Sequence, residues 1–306
     1  FLFYHLRHRG VEVKVLKEKH GEHNEGAIIN VVERNTKQVV GTFQRSKNFG
    51  FVLPDNKELG TDIFISKSNF EKAKNHQKVV VKITKYPRKG MKAEGKITEV
   101  LGFIDEAGVD MLSIIKEYNL LNEFPKNVIE EAKNISREEI KPDGRKDFRE
   151  EEIFSIDSED AKDLDDAVSV YKNDDETYTL KVHIADVSHY VREGSLLNRE
   201  AIQRGTSVYM LDRVIPMLPT ELSNGICSLN EGKDRYALSV IMKIDKNGKV
   251  IDSDITKSII RVTKRMTYTD VNKIINNEDE KVLKRYEPYI QDFKLMEELA
   301  RILKDR

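Results

Sequence analysis

Two valine-rich stretches of the sequence are similar enough to predict a repeated domain. Residues 79–83 repeat the alternating pattern of residues 11–15, and residues 94–100 repeat residues 25–31, at offsets of 68 and 69 residues. Alternation of apolar and polar side chains is typical of a half-buried strand, and a fixed offset between two such pairs indicates a repeat. The sequence therefore predicts either two tandem β domains, with only the last strands of the first in residues 1–36, or two unrelated valine-rich hairpins.

The second copy has enough strand segments to form a domain of its own, in residues 37–101. Three short apolar segments precede the repeated pair, at residues 39–43, 50–53 and 62–65. Five short strands in about 65 residues are typical of a small closed barrel. Within this domain fourteen Lys and Arg residues outnumber six Asp and Glu residues. This local positive charge predicts that the barrel binds a polyanion.

Aromatic residues of the same domain point to single-stranded nucleic acid as the polyanion. Phe49 and Phe51 occupy alternate positions, so both rings would project from one face of a strand, where bases can stack on them. Packing in the barrel core is the other interpretation of these rings. Residues 47–52 followed by residues 62–65 resemble the paired ribonucleoprotein motifs of cold-shock domains, an OB-fold family that binds single-stranded RNA. The resemblance implies RNA contacts for five residues: Phe43, Lys47, Phe49, Phe51 and Phe64.

Helical periodicity predicts a connector and a final helix. The pattern covers residues 109–118 and 126–133, which we place in a helical connector, 102–142, before a second domain, 143–306. A helix over residues 289–305 would bury one apolar stripe, made of Phe293, Met296, Ala300 and Leu303.

A dense acidic segment opens the second domain. In residues 150–166 nine acidic residues accompany one lysine, and five aspartates lie within ten residues. Carboxylates this close repel one another and raise each other's pKa unless a cation shares them. Apolar segments on both sides predict that two strands hold this loop, where a dispensable cluster of charge would be costly. A metal site is therefore favoured, with a solvated acidic loop as the alternative.

The residue types in this segment favour one kind of metal. Oxygen ligands without His or Cys suit Mg²⁺ or Mn²⁺, and a pair of such ions can activate water and stabilise the leaving oxygen of a phosphodiester. An EF-hand loop starting at Asp163 would need Gly and Glu where the sequence has Val168 and Asp174. His183 and His189 have no partner at ligand spacing, so we leave them outside the metal site.

The composition of the chain predicts the cellular compartment of the protein. The single cysteine, Cys227, excludes an internal disulfide and favours a reducing compartment. No apolar run approaches the roughly 18 residues of a membrane span, and the apolar start of the chain is too short for a signal peptide. We therefore expect a cytoplasmic protein. The chain begins with Phe1 instead of methionine, which indicates processing or a start within a longer protein.

Four segments of the second domain, in order, resemble the ribonuclease II superfamily of exoribonucleases: residues 155–168, 183–191, 205–209, and 215–219 with 222–229. The resemblance implies a multidomain α+β protein in which an OB-fold cold-shock barrel precedes a mixed α/β catalytic domain, truncated here relative to the family. It also implies processive 3′→5′ hydrolysis of single-stranded RNA to nucleoside 5′-monophosphates, with Mg²⁺ or Mn²⁺ as cofactor. In the family, two cold-shock domains precede the catalytic domain and an S1 domain follows it.

The resemblance also implies roles for individual residues. Four aspartates match the family's catalytic metal ligands, with Asp160 outside the set: Asp157, Asp163, Asp165 and Asp166. Tyr209 matches a tyrosine that stacks on the 3′-terminal nucleotide, and Tyr268 matches a second tyrosine of the cleft. No segment matches the family's phosphate-positioning arginine, so we expect this chain to cleave RNA weakly or not at all. The alternative is a non-hydrolytic module that binds single-stranded RNA, and in both cases we expect a monomer.

Overall fold

The computed structural model describes residues 11–20, 23–31, 34, 36–57, 60–88 and 91–306, with the backbone alone for the first two ranges up to residue 30. The chain forms two compact units, Phe1–Asn122 and Glu123–Arg306. The division falls inside the predicted connector, because its first helix, α1 (Val109–Glu117), packs on strands of the first unit, whereas its second, α2 (Lys126–Ile135), packs on helices of the second unit.

The first unit contains the closed five-stranded barrel that the strand pattern predicts. Its strands are β3 (Gln38–Arg45), β4 (Phe49–Pro54), β5 (Ile63–Ser66), β6 (Gln77–Lys85) and β7 (Ala93–Phe103), joined in the order β3-β4-β5-β7-β6. A 3₁₀ turn, Lys67–Asn69, follows β5. Inward-facing residues such as Val52, Ile65 and Val81 are fully buried and form one core. Alternation along each strand therefore places the remaining side chains on the outer surface.

A separate antiparallel hairpin precedes the barrel, formed by β1 (Val11–His20) and β2 (His23–Val31). Its register matches that of the β6–β7 pair after the offsets of 68 and 69 residues: Val11↔Val31 corresponds to Val79↔Val100, and Val13↔Ile28 corresponds to Val81↔Ile97. Both pairs also shift register at the equivalent step, between Glu12 and Val13 and between Val80 and Val81. A shared register with a shared irregularity supports the repeat over two unrelated hairpins.

The second unit is built on a seven-stranded sheet with the order β16-β9-β10-β11-β14-β15-β8. Its strands are β8 (Lys146–Asp147), β9 (Phe154–Asp157), β10 (Asp166–Lys172), β11 (Tyr178–Ala185), β14 (Asp234–Ile244), β15 (Val250–Arg261) and β16 (Lys264–Thr267). The pairs β16–β9 and β15–β8 are parallel and the other pairs are antiparallel. A small hairpin, β12 (Val208–Tyr209) with β13 (Val214–Ile215), lies outside the sheet.

Helices complete the second unit. They are α3 (Val187–Tyr190), α4 (Leu196–Arg204), a π-helical turn (Glu221–Ile226), α5 (Tyr268–Asn276), α6 (Glu280–Arg285), a 3₁₀ turn (Glu287–Tyr289) and α7 (Ile290–Lys304). Helix α7 buries Phe293 and Leu299, but Ala300 is exposed, so the predicted stripe is wrong at that position. Leu299 replaces it because the buried face turns toward Val170, Tyr178 and Ile244 of the sheet. In the part of the chain that is described, no helix is both long and apolar enough to cross a membrane.

Candidate active site and nucleic-acid interface

The acidic loop joins two neighbouring strands of the sheet, as its flanking apolar segments predict. Asp157 is the last residue of β9 and Asp166 is the first residue of β10. The loop is anchored at Leu164, whose side chain is 1% exposed and whose carbonyl accepts a hydrogen bond from the Leu229 N–H at 2.8 Å. The Asp165 carbonyl accepts a further bond from the Ala185 N–H at 2.9 Å. Burial of Leu164 thus holds Asp163 and Asp165, which flank it, at the surface of the sheet.

The four predicted metal ligands lie close enough to interact electrostatically. The pKa of Asp165 is raised above its ordinary value, first because neighbouring protein removes part of its hydration, and then because of the charges on Asp163, Asp166 and Asp157. Asp160, which is predicted to lie outside the set, is exposed and is not among the charges that raise the Asp165 pKa. A carboxylate whose ionisation is disfavoured by three neighbouring carboxylates has the electrostatics of a cation site.

Tyr209 also belongs to this cluster. Its ring is 68% exposed on β12, and its hydroxyl donates a hydrogen bond to Asp163 Oδ2 at 2.8 Å. That hydrogen bond is the first cause of a raised Tyr209 pKa, followed by desolvation and the charges of Asp163, Asp165 and Asp157. Sequence periodicity alone would allow Tyr209 to be a core residue, but the structure places its ring in solvent beside the carboxylates.

Tyr268 lies near the acidic loop because of its position at the start of α5. It is the first residue of α5, directly after Thr267, and Thr267 pairs with Asp157 across the parallel strands β16 and β9. Its ring is exposed. The register therefore places Tyr268 beside the end of β9, where the acidic loop begins.

The chemistry of the cluster suits a hard cation, although its geometry is open. All four side chains offer carboxylate oxygens, which are the ligands that Mg²⁺ and Mn²⁺ prefer. Among the described residues, no three His, Cys, Asp or Glu side chains are arranged to hold a metal ion. The carboxylates are thus coupled through their charges without converging on one point. The donor set fits the predicted metal, and Asp157, Asp163, Asp165 and Asp166 are the residues that would hold it.

Two residues that the sequence analysis did not assign to the site hold the backbone of the loop. Ser228 is fully buried, donates through Oγ to the Lys162 carbonyl at 2.8 Å and accepts from the Leu164 N–H at 3.1 Å. Arg265 donates from Nη2 to three loop carbonyls, those of Ser158, Glu159 and Ala161. Both act on backbone atoms, which leave no pattern of complementary side chains in the sequence. The one available signal is that Ser228 lies in a segment, residues 222–229, that resembles the ribonuclease II superfamily.

The histidines do not join the cluster. His183 is fully buried in the sheet, where its Nδ1 lies 2.6 Å from Ser239 Oγ. Desolvation, helped by the charge of Lys181, lowers the His183 pKa to about 4. His189 Nδ1 lies 3.3 Å from Arg145 and 3.2 Å from Arg192. Both imidazoles therefore serve the packing of the sheet and α3.

On the barrel, three aromatic rings form a continuous outer surface. Phe49, Phe51 and Phe64 contact one another with ring centroids 5.6 to 6.1 Å apart, and Phe49 is stacked on Phe64. Phe51 and Phe64 are direct partners across β4 and β5, so both face outward, and Phe49 is 40% exposed. Lys92 Nζ lies 4.7 Å from the Phe51 ring centroid, and Lys47 is exposed in the turn before β4. We call Phe49, Phe51 and Phe64 the aromatic platform.

Phe43 is a correction to the predicted interface. Its ring is 0% exposed and packs edge-on against Phe70 at 4.9 Å in the barrel core. Phe43 pairs with Val52, which also faces inward, and cross-strand partners share a face. Gly50 makes room for the ring, because a Cβ there would lie 2.4 Å from it. A base cannot stack on Phe43, so the prediction that it contacts RNA is wrong.

Comparison with known families matches this architecture. The RNB domain model matches residues 145–306, and the cold shock domain model matches residues 51–125. Because the first match covers more than half of the chain, the chain belongs to the RNB-domain family. This confirms the predicted fold class, an OB-like cold-shock barrel followed by a mixed α/β catalytic-type domain.

The chain is also similar to individual proteins that contain this domain. The chain is 48% identical to ribonuclease R of Thermotoga maritima over 284 residues, which is 92% of this chain and 40% of that protein. Among solved structures, Mycoplasma genitalium RNase R in complex with ribose-methylated single-stranded RNA matches with a TM-score of 0.82, 24% identity, and 96% and 47% coverage of the two chains. Yeast Ssd1, described as a pseudonuclease, matches with a TM-score of 0.73, 21% identity, and 94% and 36% coverage. The resemblance to the ribonuclease II superfamily is confirmed.

Proposed function

We propose that this protein is a 3′→5′ exoribonuclease that hydrolyses single-stranded RNA to nucleoside 5′-monophosphates with the help of Mg²⁺, or of Mn²⁺ in its place. The observation that carries the proposal is the set of four coupled carboxylates around Asp165, with the exposed Tyr209 ring tied to Asp163. The 48% identity to a ribonuclease R supports it. The chain spans about 40% of that relative, so the activity of the whole protein is part of the proposal.

Different residues would bind the metal ion, the terminal bases and the rest of the RNA strand. When bound, Mg²⁺ would polarise a phosphoryl oxygen and help to activate the attacking water. The four aspartates supply oxygen ligands, Tyr209 and Tyr268 offer exposed rings to the terminal bases, and the aromatic platform with its surrounding lysines binds the strand on the barrel. A basic binding module and an acidic metal site on one chain suit a nuclease, because one captures the polyanion that the other cuts.

The test is an incubation of single-stranded RNA with the protein in Mg²⁺ and in EDTA, with a 5′ label to follow shortening and a uniform label on the phosphates to follow the released nucleotides. We expect metal-dependent shortening from the 3′ end and release of nucleoside 5′-monophosphates. No shortening in Mg²⁺ or Mn²⁺, at enzyme in excess over RNA, would contradict the proposal. A cytoplasmic location and a monomeric state remain predictions.

A second candidate is a non-hydrolytic RNA-binding module. Two observations favour it: the fold is shared with a protein described as a pseudonuclease, and the described carboxylates do not form a closed ligand set. This candidate predicts salt-sensitive RNA binding in Mg²⁺ without any nucleotide release. Thin-layer chromatography of the same reaction separates the two candidates.

Replacement of Phe49 tests the aromatic platform, because its ring is the most exposed of the three. We expect Phe49→Ala to weaken binding of single-stranded RNA by about 1–3 kcal/mol, the usual loss for one base–aromatic stack. Fluorescence anisotropy of labelled RNA in EDTA measures this without cleavage. Phe103→Ala is the matched control, since Phe103 is also exposed in this unit, at the end of β7, and the described ring contacts of Phe49, Phe51 and Phe64 do not include it. Equal losses in both variants would contradict a specific platform.

A further inference from the structure

Arg265 makes an unusual set of contacts with the acidic loop. Its Nη2 lies 2.7 Å from the Ala161 carbonyl oxygen, 2.9 Å from that of Glu159 and 3.3 Å from that of Ser158. These carbonyls belong to the stretch between Asp157 and Asp163, so the loop backbone bends around one guanidinium group. Arg265 forms no described ion pair with an acidic side chain. The guanidinium group therefore donates its described loop hydrogen bonds to backbone carbonyls, although the loop is rich in carboxylates.

The strand that carries Arg265 fixes where this guanidinium can lie. On β16, Arg265 pairs with Ser155 and Thr267 pairs with Asp157, so β16 runs beside the strand that enters the loop. The Arg265 N–H also donates to Glu231 Oε2 at 3.0 Å. Further along, Thr269 hydrogen-bonds Glu159 and thereby lowers the Glu159 pKa. The β16–α5 segment therefore contacts the first half of the loop through two side chains, those of Arg265 and Thr269.

The second half of the loop has its own anchor. The Ser228 hydroxyl donates to the Lys162 carbonyl and accepts from the Leu164 N–H, and the Leu229 N–H donates to the Leu164 carbonyl. Asp163 lies between the portion held by Arg265 and the portion held by Ser228, with Leu164 buried beside it. Loss of either anchor would free one side of the loop and let mutual repulsion separate Asp157 from Asp163.

We propose that Arg265 is a positioning residue that shapes the acidic loop, and that it thereby sets the affinity of the aspartates for a divalent cation. This inference rests on the proposed metal-dependent function. Two effects of removing Arg265 have opposite signs. Loss of the positive charge that is bound to the acidic loop would by itself strengthen cation binding, whereas loss of the loop's shape would weaken it. Weaker cation binding after removal of Arg265 would therefore indicate that Arg265 shapes the loop, whereas stronger binding would indicate that only its charge matters.

The experiment measures Mn²⁺ binding by the electron paramagnetic resonance signal of free Mn²⁺, without RNA. For Arg265→Ala we expect a Kd at least about tenfold higher, the lower end of the range for residues that orient metal ligands. Arg265→Lys keeps the charge on a shorter side chain that cannot reach all three carbonyls, so we expect an increase of about threefold. RNA affinity in EDTA should stay unchanged, since Arg265 lies outside the barrel.

Arg261→Ala is the matched control, because it removes an arginine of the same sheet that pairs with Asp234 instead of the loop. Its Mn²⁺ affinity should equal that of the unmodified chain. The inference would be overturned if Arg265→Ala bound Mn²⁺ with a Kd equal to or lower than that of the unmodified chain. If Arg265→Ala does not fold, an unchanged Mn²⁺ Kd for Arg265→Lys would overturn it instead. If the unmodified chain cuts RNA and binds Mn²⁺ while Arg265→Ala matches it, this inference alone fails. If the unmodified chain binds no Mn²⁺, the proposed function fails with it.

Discussion

Replacing Asp165 with asparagine should lower the rate of metal-dependent nucleotide release at least about 100-fold, the usual effect of removing one group that stabilises transition-state charge. The pKa of Asp165 is raised first by desolvation and then by the charges of the three other proposed ligands, so Asp165 is the carboxylate on which the other three groups of the cluster act. Asparagine keeps the shape of the side chain and removes its charge. We expect RNA affinity in EDTA to remain, because the aromatic platform belongs to the other unit.

Asp160→Asn is the control for this variant. It removes one negative charge from the same loop, at an exposed position outside the coupled set. Its cleavage rate should stay within about twofold of the unmodified chain, as for most surface substitutions. If Asp160→Asn lowered the rate as much as Asp165→Asn, net loop charge would explain the effect and the ligand assignment would be wrong. Unchanged release by Asp165→Asn would refute it directly.

The local parts of this fold could be read from the sequence. Alternation predicted all five barrel strands and placed Phe49 and Phe51 on one face, and the repeat offsets relate two strand pairs whose registers correspond in the structure. The apolar segments around the acidic loop predicted the strands that hold it. These features depend on neighbours along the chain, where period and spacing carry the information.

The parts that could not be predicted depend on contacts between distant segments. The resemblance to cold-shock motifs predicted an RNA contact for Phe43, but neither a motif nor alternation along one strand shows which face of that strand is inside. Phe43 faces inward because it pairs with the buried Val52, and this pairing is set by how the strands of the whole barrel align. Ser228 and Arg265 act on loop carbonyls 66 and 104 to 107 residues away. Backbone acceptors are the same in every sequence, so such partners leave no side-chain signal.

A second large effect is expected at Arg145, which the sequence analysis left unassigned. Arg145 forms a 2.7 Å ion pair with Asp186, and both side chains are almost completely buried, at 5% and 6% exposure. Its guanidinium also lies 4.2 Å from the Tyr236 ring centroid and donates to the carbonyls of Ala237 and Ser258. Arg145→Ala should lower the free energy of unfolding of the second unit by about 3–5 kcal/mol, because it leaves the Asp186 carboxylate buried without a cation.

Hydrogen exchange at increasing urea, measured by mass spectrometry on peptides from residues 123–306, isolates this unit from the barrel. Lys172→Ala is the control, since Lys172 pairs with Glu298 at 3.0 Å but is 48% exposed, and such pairs contribute only about 0–1 kcal/mol. Arg145→Met combined with Asp186→Asn should be less destabilised than the two single variants together. A fully additive double variant would show that the lost contacts of each side chain, and not a stranded charge, cause the instability.

The pH dependence separates the same two explanations. In the unmodified chain burial raises the Asp186 pKa, but hydrogen bonds from Arg145 and Ser188 outweigh it and hold the pKa below its ordinary value. The ionised group then stabilises the fold at neutral pH, and this contribution is lost as the pH falls through the folded pKa. In Arg145→Ala burial acts without the arginine and raises the pKa, so protonation relieves the buried charge. Between about pH 7 and 5 the variant should therefore regain part of its lost stability relative to the unmodified chain. A stability difference that stays constant over this range would mean that Asp186 remains paired or hydrated without Arg145.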